Sequence, residues 1–140
     1  MNRATADSRE LVASYVDAWN EQEFGAVSEL VSESVVARNP TAPGGVVRGR
    51  DGLEEFMRGV TAAFPDFHVS VSDVLARDDR VMYEAELTMT HEGSFEGLSP
   101  TGREVEVQEM ASYHVSDGAI QRYRVYFDQA AVFEQLGVSP

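Results

Sequence analysis

Residues 113–128, YHVSDGAIQRYRVYFD, read as two strands and the turn between them, and the rest of the chain is arranged around that hairpin. Asp117-Gly118 is the two-residue signature of a type I′ turn. Beyond it, Tyr123, Val125 and Phe127 alternate with Arg122, Arg124, Tyr126 and Asp128, which is the period of a strand. If Ser116 pairs with Ala119, an unbroken ladder sets Arg122 opposite Tyr113, Arg124 opposite Ala111, Tyr126 opposite Glu109 and Asp128 opposite Val107. Paired residues share a face. This register predicts one face with Val105, Val107, Glu109, Ala111, Tyr113, Arg124, Tyr126 and Asp128. The other face then carries Met110, Ser112, His114, Tyr123, Val125 and Phe127. Both faces are mixed, the pattern expected when one lines a polar cavity and the other meets a second subunit.

Upstream, period-two alternation continues through REVEVQEMASYHV (103–115), RVMYEAELTMTH (80–91) and FHVSVSDVLA (67–76). In the second of these, Val81, Tyr83, Ala85, Leu87 and Met89 share one phase, while Glu84 and Glu86 occupy the solvent phase. Before residue 67 the period is helical. Leu11, Val12, Tyr15, Val16 and Trp19 form one apolar stripe, with Asp7 or Ser8 placed to cap it. A second helix is predicted near residues 24–31, with Phe24, Val27, Leu30 and Val31 on its apolar side. ARNPTAPGGVVRGRDG (37–52) reads as a long loop. Asp51 is placed to cap a third helix bearing Leu53, Phe56, Met57, Val60 and Phe64, which FPDF terminates because the residue before a proline is pushed from helical geometry. A last helical pattern, Ala131, Phe133 and Leu136, stops at Gly137. Helices first and antiparallel strands second is the order of an α+β fold, and the length predicts one domain over residues 1–140.

The net charge of −13 argues against nucleic acid or an anionic membrane as partner, since both need a basic patch. There is no cysteine, which excludes disulfides and thiolate chemistry and fits a reducing cytoplasm. No apolar run is long enough to span a membrane, and the N-terminus lacks the apolar core of a secretory signal. His68, His91 and His114 are far apart and show no metal-ligand spacing, so no metal site is expected.

FEGLSPTGREVEV, YHVSDGAIQRYRVYFD and FEQLGV, together with AFPDFHVSV and THEGSFEGLSPTGR, resemble the SnoaL-like polyketide cyclases of the ketosteroid-isomerase-like superfamily. The resemblance implies a cone-shaped, curved and mainly antiparallel sheet, with the N-terminal helices over its concave face around an apolar pocket. It also implies dimerisation through the outer sheet face. The implied activity is cofactor-free acid/base chemistry on a hydrophobic ring-forming substrate of secondary metabolism, such as antibiotic biosynthesis. The reaction would be an intramolecular aldol closure, or that of a related isomerase, dehydrating lyase or epoxide hydrolase. A protein that binds and sequesters a small molecule without turnover, for self-resistance, fits the same features.

In the cyclases the acid/base is an aspartate at the end of the Y-x-D strand, which here is Asp128; the alternative role for Asp128 is to cap the helix that follows. Arg38 stands where many relatives have histidine, and Arg124 where they often have tryptophan. Arg124 is a candidate oxyanion holder or a partner for Glu109 or Asp128, and Glu109 is a candidate second acid or Arg124's counter-ion. Tyr126 and His91, the latter at the pocket rim, are candidate substrate contacts. Asn39, Tyr15 and Trp19 are candidates at the pocket entrance, although aromatic residues on a helix are as readily core and Asn39 before Pro40 as readily a turn residue. His114 falls on the opposite face.

Overall fold

The computed structural model describes residues 2–138. The elements are α1 (Arg3–Glu21), α2 (Phe24–Leu30), β1 (Val31–Arg38), β2 (Val46–Arg48), α3 (Gly49–Ala63), β3 (His68–Arg77), β4 (Arg80–Thr90), β5 (Glu104–Ser116), β6 (Ala119–Phe127) and α4 (Gln129–Gln135). The six strands form one open, curved sheet in the order β2-β1-β6-β5-β4-β3. Every pairing is antiparallel except β1 with β6.

The α1 stripe packs as its spacing dictates, with Val12, Tyr15, Val16 and Trp19 all buried. Its start lies further upstream than expected. Asn2 is the cap, its Oδ1 accepting from the Thr5 N–H at 2.8 Å, while Ser8 is buried and donates to the Asp78 carbonyl at 2.7 Å. α2 ends at Leu30, and Val31, expected to close that helix, opens β1; residues 32–36 of this strand carry no assignment from sequence, and Ala37 and Arg38 fall in the expected loop. β1 pairs in parallel with a strand some ninety residues away, so no local hairpin signal marks it. Asp51 does not cap α3; it sits in the first turn, where an acidic side chain complements the helix dipole. After Phe64, the Asp66 carboxylate accepts from the Thr90 N–H and hydroxyl, both at 2.6 Å, tying the end of α3 to the end of β4.

The hairpin carries the main correction. Asp117 and Gly118 both have positive φ, as a type I′ turn requires. Ser116 pairs with Ala119 and Val115 with Ile120, but His114 then pairs with Arg122, so Gln121 is an extra residue in β6. This β-bulge is held by the Gln121 amide donating to the Ser116 carbonyl at 2.8 Å. Beyond it the register is Tyr113–Tyr123, Ser112–Arg124, Ala111–Val125, Met110–Tyr126 and Glu109–Phe127. A shift of one residue reverses every side chain's face. Tyr123 and Val125 are therefore buried with Ala111 and Tyr113, and Arg122, Arg124 and Tyr126 are exposed on the outer face beside His114, Ser112 and Met110.

The core lies between the helices and the concave face. Tyr15, Leu53, Met57, Phe64, Val81 and Tyr113 are almost fully buried, and each large apolar side chain among them stabilises the fold by roughly 1.5–3 kcal/mol. Gly93, just after β4, is required by close approach: a Cβ there would meet the Ala62 carbonyl oxygen at 2.2 Å. Gly59, inside α3, has no such neighbour. Urea denaturation should show Gly93→Ala destabilised by about 2 kcal/mol or more, and Gly59→Ala stabilised by about 0.5–1 kcal/mol. Equal stability of the two variants would contradict this packing.

Candidate functional site

Between α1, α3 and the concave sheet lies a cavity that opens to the surface at one mouth. Its wall is aromatic and aliphatic, with Trp19, Phe56, Phe64, Phe67, Phe95 and Phe127 among the lining side chains. The polar groups in this wall are few: Glu109, the four tyrosines Tyr15, Tyr83, Tyr113 and Tyr123, and Asn39 with Thr41.

Glu109 is in the inward phase of β5, between Val107 and Ala111, and is only 5% exposed. Its cross-strand neighbours are Ala85 and Phe127. The Tyr83 hydroxyl donates to Oε1 at 3.1 Å. No cation compensates the carboxylate: among the described residues the one ion pair is Arg58 with Glu54 on the surface of α3. Burial in this wall therefore raises the Glu109 carboxyl from 4.5 to about 7, with the Tyr83 hydrogen bond acting weakly the other way.

The tyrosines form a directed network. Because the Tyr83 proton goes to Glu109, the Tyr113 hydroxyl is the donor in its 3.1 Å bond to the Tyr83 oxygen. The protons of this chain all run toward the carboxylate, and Oε2 is left open. The Tyr113 ring stacks on Tyr123 with centroids 4.8 Å apart, and Tyr123 in turn is hydrogen-bonded through its hydroxyl to Tyr15. Burial is the main cause holding all four phenols well above their ordinary range, so they are neutral donors at physiological pH.

Of the residues singled out from sequence, the structure brings Glu109, Tyr15, Trp19 and Asn39 to the cavity wall. The Asn39 Oδ1 also accepts from the Thr41 N–H and hydroxyl at 2.9 and 2.8 Å, so it shapes the turn as well. The bulge removes Arg124 and Tyr126 from that group. Arg124 donates to the Tyr126 hydroxyl at 3.2 Å on the outer face, and Tyr126 is 56% exposed. Asp128 is exposed and caps α4, its Oδ1 accepting from the Ala131 N–H at 3.1 Å, and it is not part of the cavity wall. His91 is fully buried instead of standing at the rim. The loop after β4 folds over it, the Thr101 N–H donates to Nδ1 at 3.1 Å, and the ring lies against Phe64 and Phe95. Glu84 is exposed, and Glu86 lies on the outer face, where the charge of Glu106 raises its carboxyl. His114 is also outward, its Nδ1 accepting from Arg122 at 3.2 Å. Sequence reasoning gave no role to Tyr83, Tyr113 or Tyr123; the available signal was a tyrosine in the inward phase of three adjacent strands.

An open curved sheet closed by helices around an apolar cavity with one buried carboxyl defines a small-molecule pocket protein of the α+β class. The chain belongs to the SnoaL-like polyketide cyclase family, whose model matches residues 9–136. Among solved structures it is similar to IdmH from Streptomyces antibioticus, a candidate polyketide cyclase, at 28% identity over 94% of this chain and 99% of that one (TM-score 0.80). It is also similar to AclR from Streptomyces galilaeus, a candidate hydroxylase, at 26% identity over 95% and 82% of the two chains (TM-score 0.81). A SnoaL-like protein from Jannaschia sp. CCS1, at 22% identity over 100% and 98% (TM-score 0.89), shares the fold. No curated protein sequence matches the chain.

The raised carboxyl has a direct consequence for stability. A folded-state value of about 7 against 4.5 means that the native state favours the protonated form. Stability from this group is full below pH 4.5, declines as pH rises, and is lost by about pH 7, at a cost of roughly 3 kcal/mol. Glu109→Gln keeps an acceptor for Tyr83 without the charge. Urea denaturation should find it more stable than the parent by about 1–3 kcal/mol at pH 8, with that advantage disappearing near pH 4.5. An advantage independent of pH would show that Glu109 is not desolvated.

Proposed function

We propose that this protein is a cofactor-independent, cyclase-type enzyme of polyketide secondary metabolism in which Glu109 is the general acid/base. One observation carries the reading: the Glu109 carboxyl is buried in the wall of an apolar cavity and, among the described residues, pairs with no cation, so that burial pushes it up to about 7. A base whose pKa lies near the working pH combines a useful ionised fraction with proton affinity. The aromatic wall supports a hydrophobic substrate that closes into flat rings. Family membership supports the cyclase class.

The chemistry is an intramolecular aldol closure. Oε2 of Glu109 takes a proton from a carbon beside a carbonyl, and the C–H pair becomes the C=C of an enolate. The enolate carbon attacks a second carbonyl of the same chain, forming the ring C–C bond. The alkoxide so formed takes the proton back from Glu109. No oxidant, reductant or metal is consumed. Tyr83 orients the carboxylate through Oε1 and leaves Oε2 toward the cavity, and the apolar wall keeps water from competing for the enolate.

In an assay with a linear, multi-carbonyl aromatic polyketide precursor, kcat/KM should rise with pH through about 7 as Glu109 ionises. Glu109→Gln should lower turnover by roughly 10²–10⁴, and Asp128→Asn, which retains the cap, should be nearly silent. Full activity of the folded Gln variant would end the Glu109 assignment. Tight binding of the precursor with no turnover by the parent would make this a binding protein.

The outer sheet face supports a homodimer. Arg38, Arg48, Arg80, Arg122 and Arg124 lie toward one end of it and Glu84, Glu86, Glu104 and Glu106 toward the other. Exposed Met82, Met110 and Tyr126 lie between them. A two-fold axis through that apolar band sets the basic end of each copy on the acidic end of its partner. Sedimentation should give twice the chain mass for the parent and the chain mass for Met110→Asp; a monomeric parent at micromolar concentration contradicts the dimer. The absence of cysteine fits a reducing, cytoplasmic setting.

A further inference from the structure

A groove runs along the solvent side of α3. The loop between β1 and β2, with β2 itself, walls one flank, and the tip of the loop after β4 walls the other. Four of its side chains, Thr41, Phe56, Val60 and Phe95, also line the cavity that holds Glu109, so the two spaces adjoin. All four are half-buried, and they form a sill between cavity and groove and not a sealed partition. The fold supports this sill from two sides. Phe56 packs edge-on against Trp19 with centroids 6.3 Å apart. Phe95 lies edge-on to Phe64 at 5.1 Å and stacks on Phe133 of α4 at 6.2 Å. The tip that carries Phe95 is a tight turn, closed by the Phe95 N–H donating to the Leu98 carbonyl at 3.0 Å and the Leu98 N–H to the Phe95 carbonyl at 2.8 Å. Its base is tied to α3 by the N–H groups of Glu92 and Gly93, which both donate to the Ala63 carbonyl.

The floor of the groove is α3, and two of its floor positions, Gly52 and Gly59, are glycine. A glycine inside a helix is destabilising relative to alanine. Packing requires neither of them. A Cβ at Gly59 would meet nothing within 4 Å, and one at Gly52 would meet only Val47 Cγ1 at an ordinary 3.6 Å. The stability given up leaves open the space that two side chains would fill. From Gly52 to Val60 that opening is roughly 12 Å long at the rise of an α-helix, and it ends at the sill.

We propose that this groove is a second substrate subsite, which takes the uncharged aliphatic chain of a ligand whose ring-forming part occupies the cavity, and that Gly52 and Gly59 set the bulk of chain accepted. The assignment rests on the reading of the cavity as a substrate site, and not on Glu109 as its base. A hydrophobic substrate that closes only part of its length into rings leaves a remainder outside the cavity. The groove is the apolar surface that continues the cavity wall, through Phe56, Val60 and Phe95 to Val46 and Val47. Its charged lining is Glu55, Glu96 and Arg48, all exposed and in no ion pair among the described residues. That edge is net negative, which disfavours an anionic chain.

The single tryptophan, Trp19, is in the cavity wall, so its fluorescence reports a ligand there without turnover. Two naphthyl ketones serve as probes, one bearing a methyl group and one a hexyl chain. The parent should bind the hexyl ketone roughly 10-fold or more tightly than the methyl ketone, because the extra CH2 groups leave water in the groove. Gly59→Gln and Gly52→Gln each put a hydrated side chain into the groove and alter no residue of the cavity wall. Each should weaken the hexyl ketone more than the methyl ketone and erase most of that difference. With a long-chain substrate, each should raise KM more than it lowers kcat. Both variants should resist urea at least as well as the parent, since glutamine is the better helix former. Equal affinity of the parent for the two ketones overturns the proposal, as does a hexyl preference that survives in both variants or an equal loss of both ketones. If Glu109→Gln retains turnover while the glycine variants lose the preference, the groove stands and the assignment of the base falls. If Glu109→Gln abolishes turnover and the preference ignores both glycines, the reverse holds.

Discussion

One inserted residue, Gln121, determines which side of β6 faces the cavity. Strand side chains alternate strictly, so a ladder without the insertion would send Arg122 and Arg124 into the core and Tyr123, Val125 and Phe127 to the outside. Two guanidinium groups cannot be buried there without partners, whereas the bulge places an aromatic and aliphatic row beside Tyr113 and Ala111. The concave wall, the stacking of Tyr113 on Tyr123 and the hydroxyl contact to Tyr15 all depend on this displacement. So does the isolation of Glu109, because Arg124 would otherwise have lain on its face.

That isolation is what raises the Glu109 carboxyl. A carboxylate with an arginine beside it is held ionised and is a weak base; one without compensation shares its charge only with a phenol hydrogen bond. The native state bears the desolvation cost, and proton affinity near neutrality is the result. A buried group that reduces stability while facing an open cavity is characteristic of functional sites, where local stability is given up for reactivity. The tyrosines serve the same end by contributing polar hydrogens without formal charge, so the wall stays compatible with a hydrophobic ligand.

The outer face follows from the same alternation read on its other side. With arginines gathered at one end and glutamates at the other, like charges crowd locally, as the Glu106 effect on Glu86 shows. A chain of net charge −13 thus keeps a concentrated basic region on its sheet although its overall field is acidic.

Period-two and period-3.6 patterns made most elements legible, because they are set by neighbours a few residues apart. α1, α3, β3 to β6 and the Asp-Gly turn were readable in this way, as was the inward phase shared by Glu109, Ala111 and Tyr113. β1 and β2 were not, since a short strand paired in parallel with a distant one leaves no local mark. The bulge was hidden for a related reason: a turn fixes the first pairs of a hairpin, but an inserted residue is paid for by packing on the far side of the sheet. Tyr15, Tyr83, Tyr113 and Tyr123 come from α1, β4, β5 and β6, and only the folded sheet brings their hydroxyls together. The sequence by itself determined that a carboxyl would point inward on β5. The tertiary structure alone decided that no cation among the described residues would follow it there, because ion pairing depends on which faces meet across strands and not on which residues adjoin along the chain.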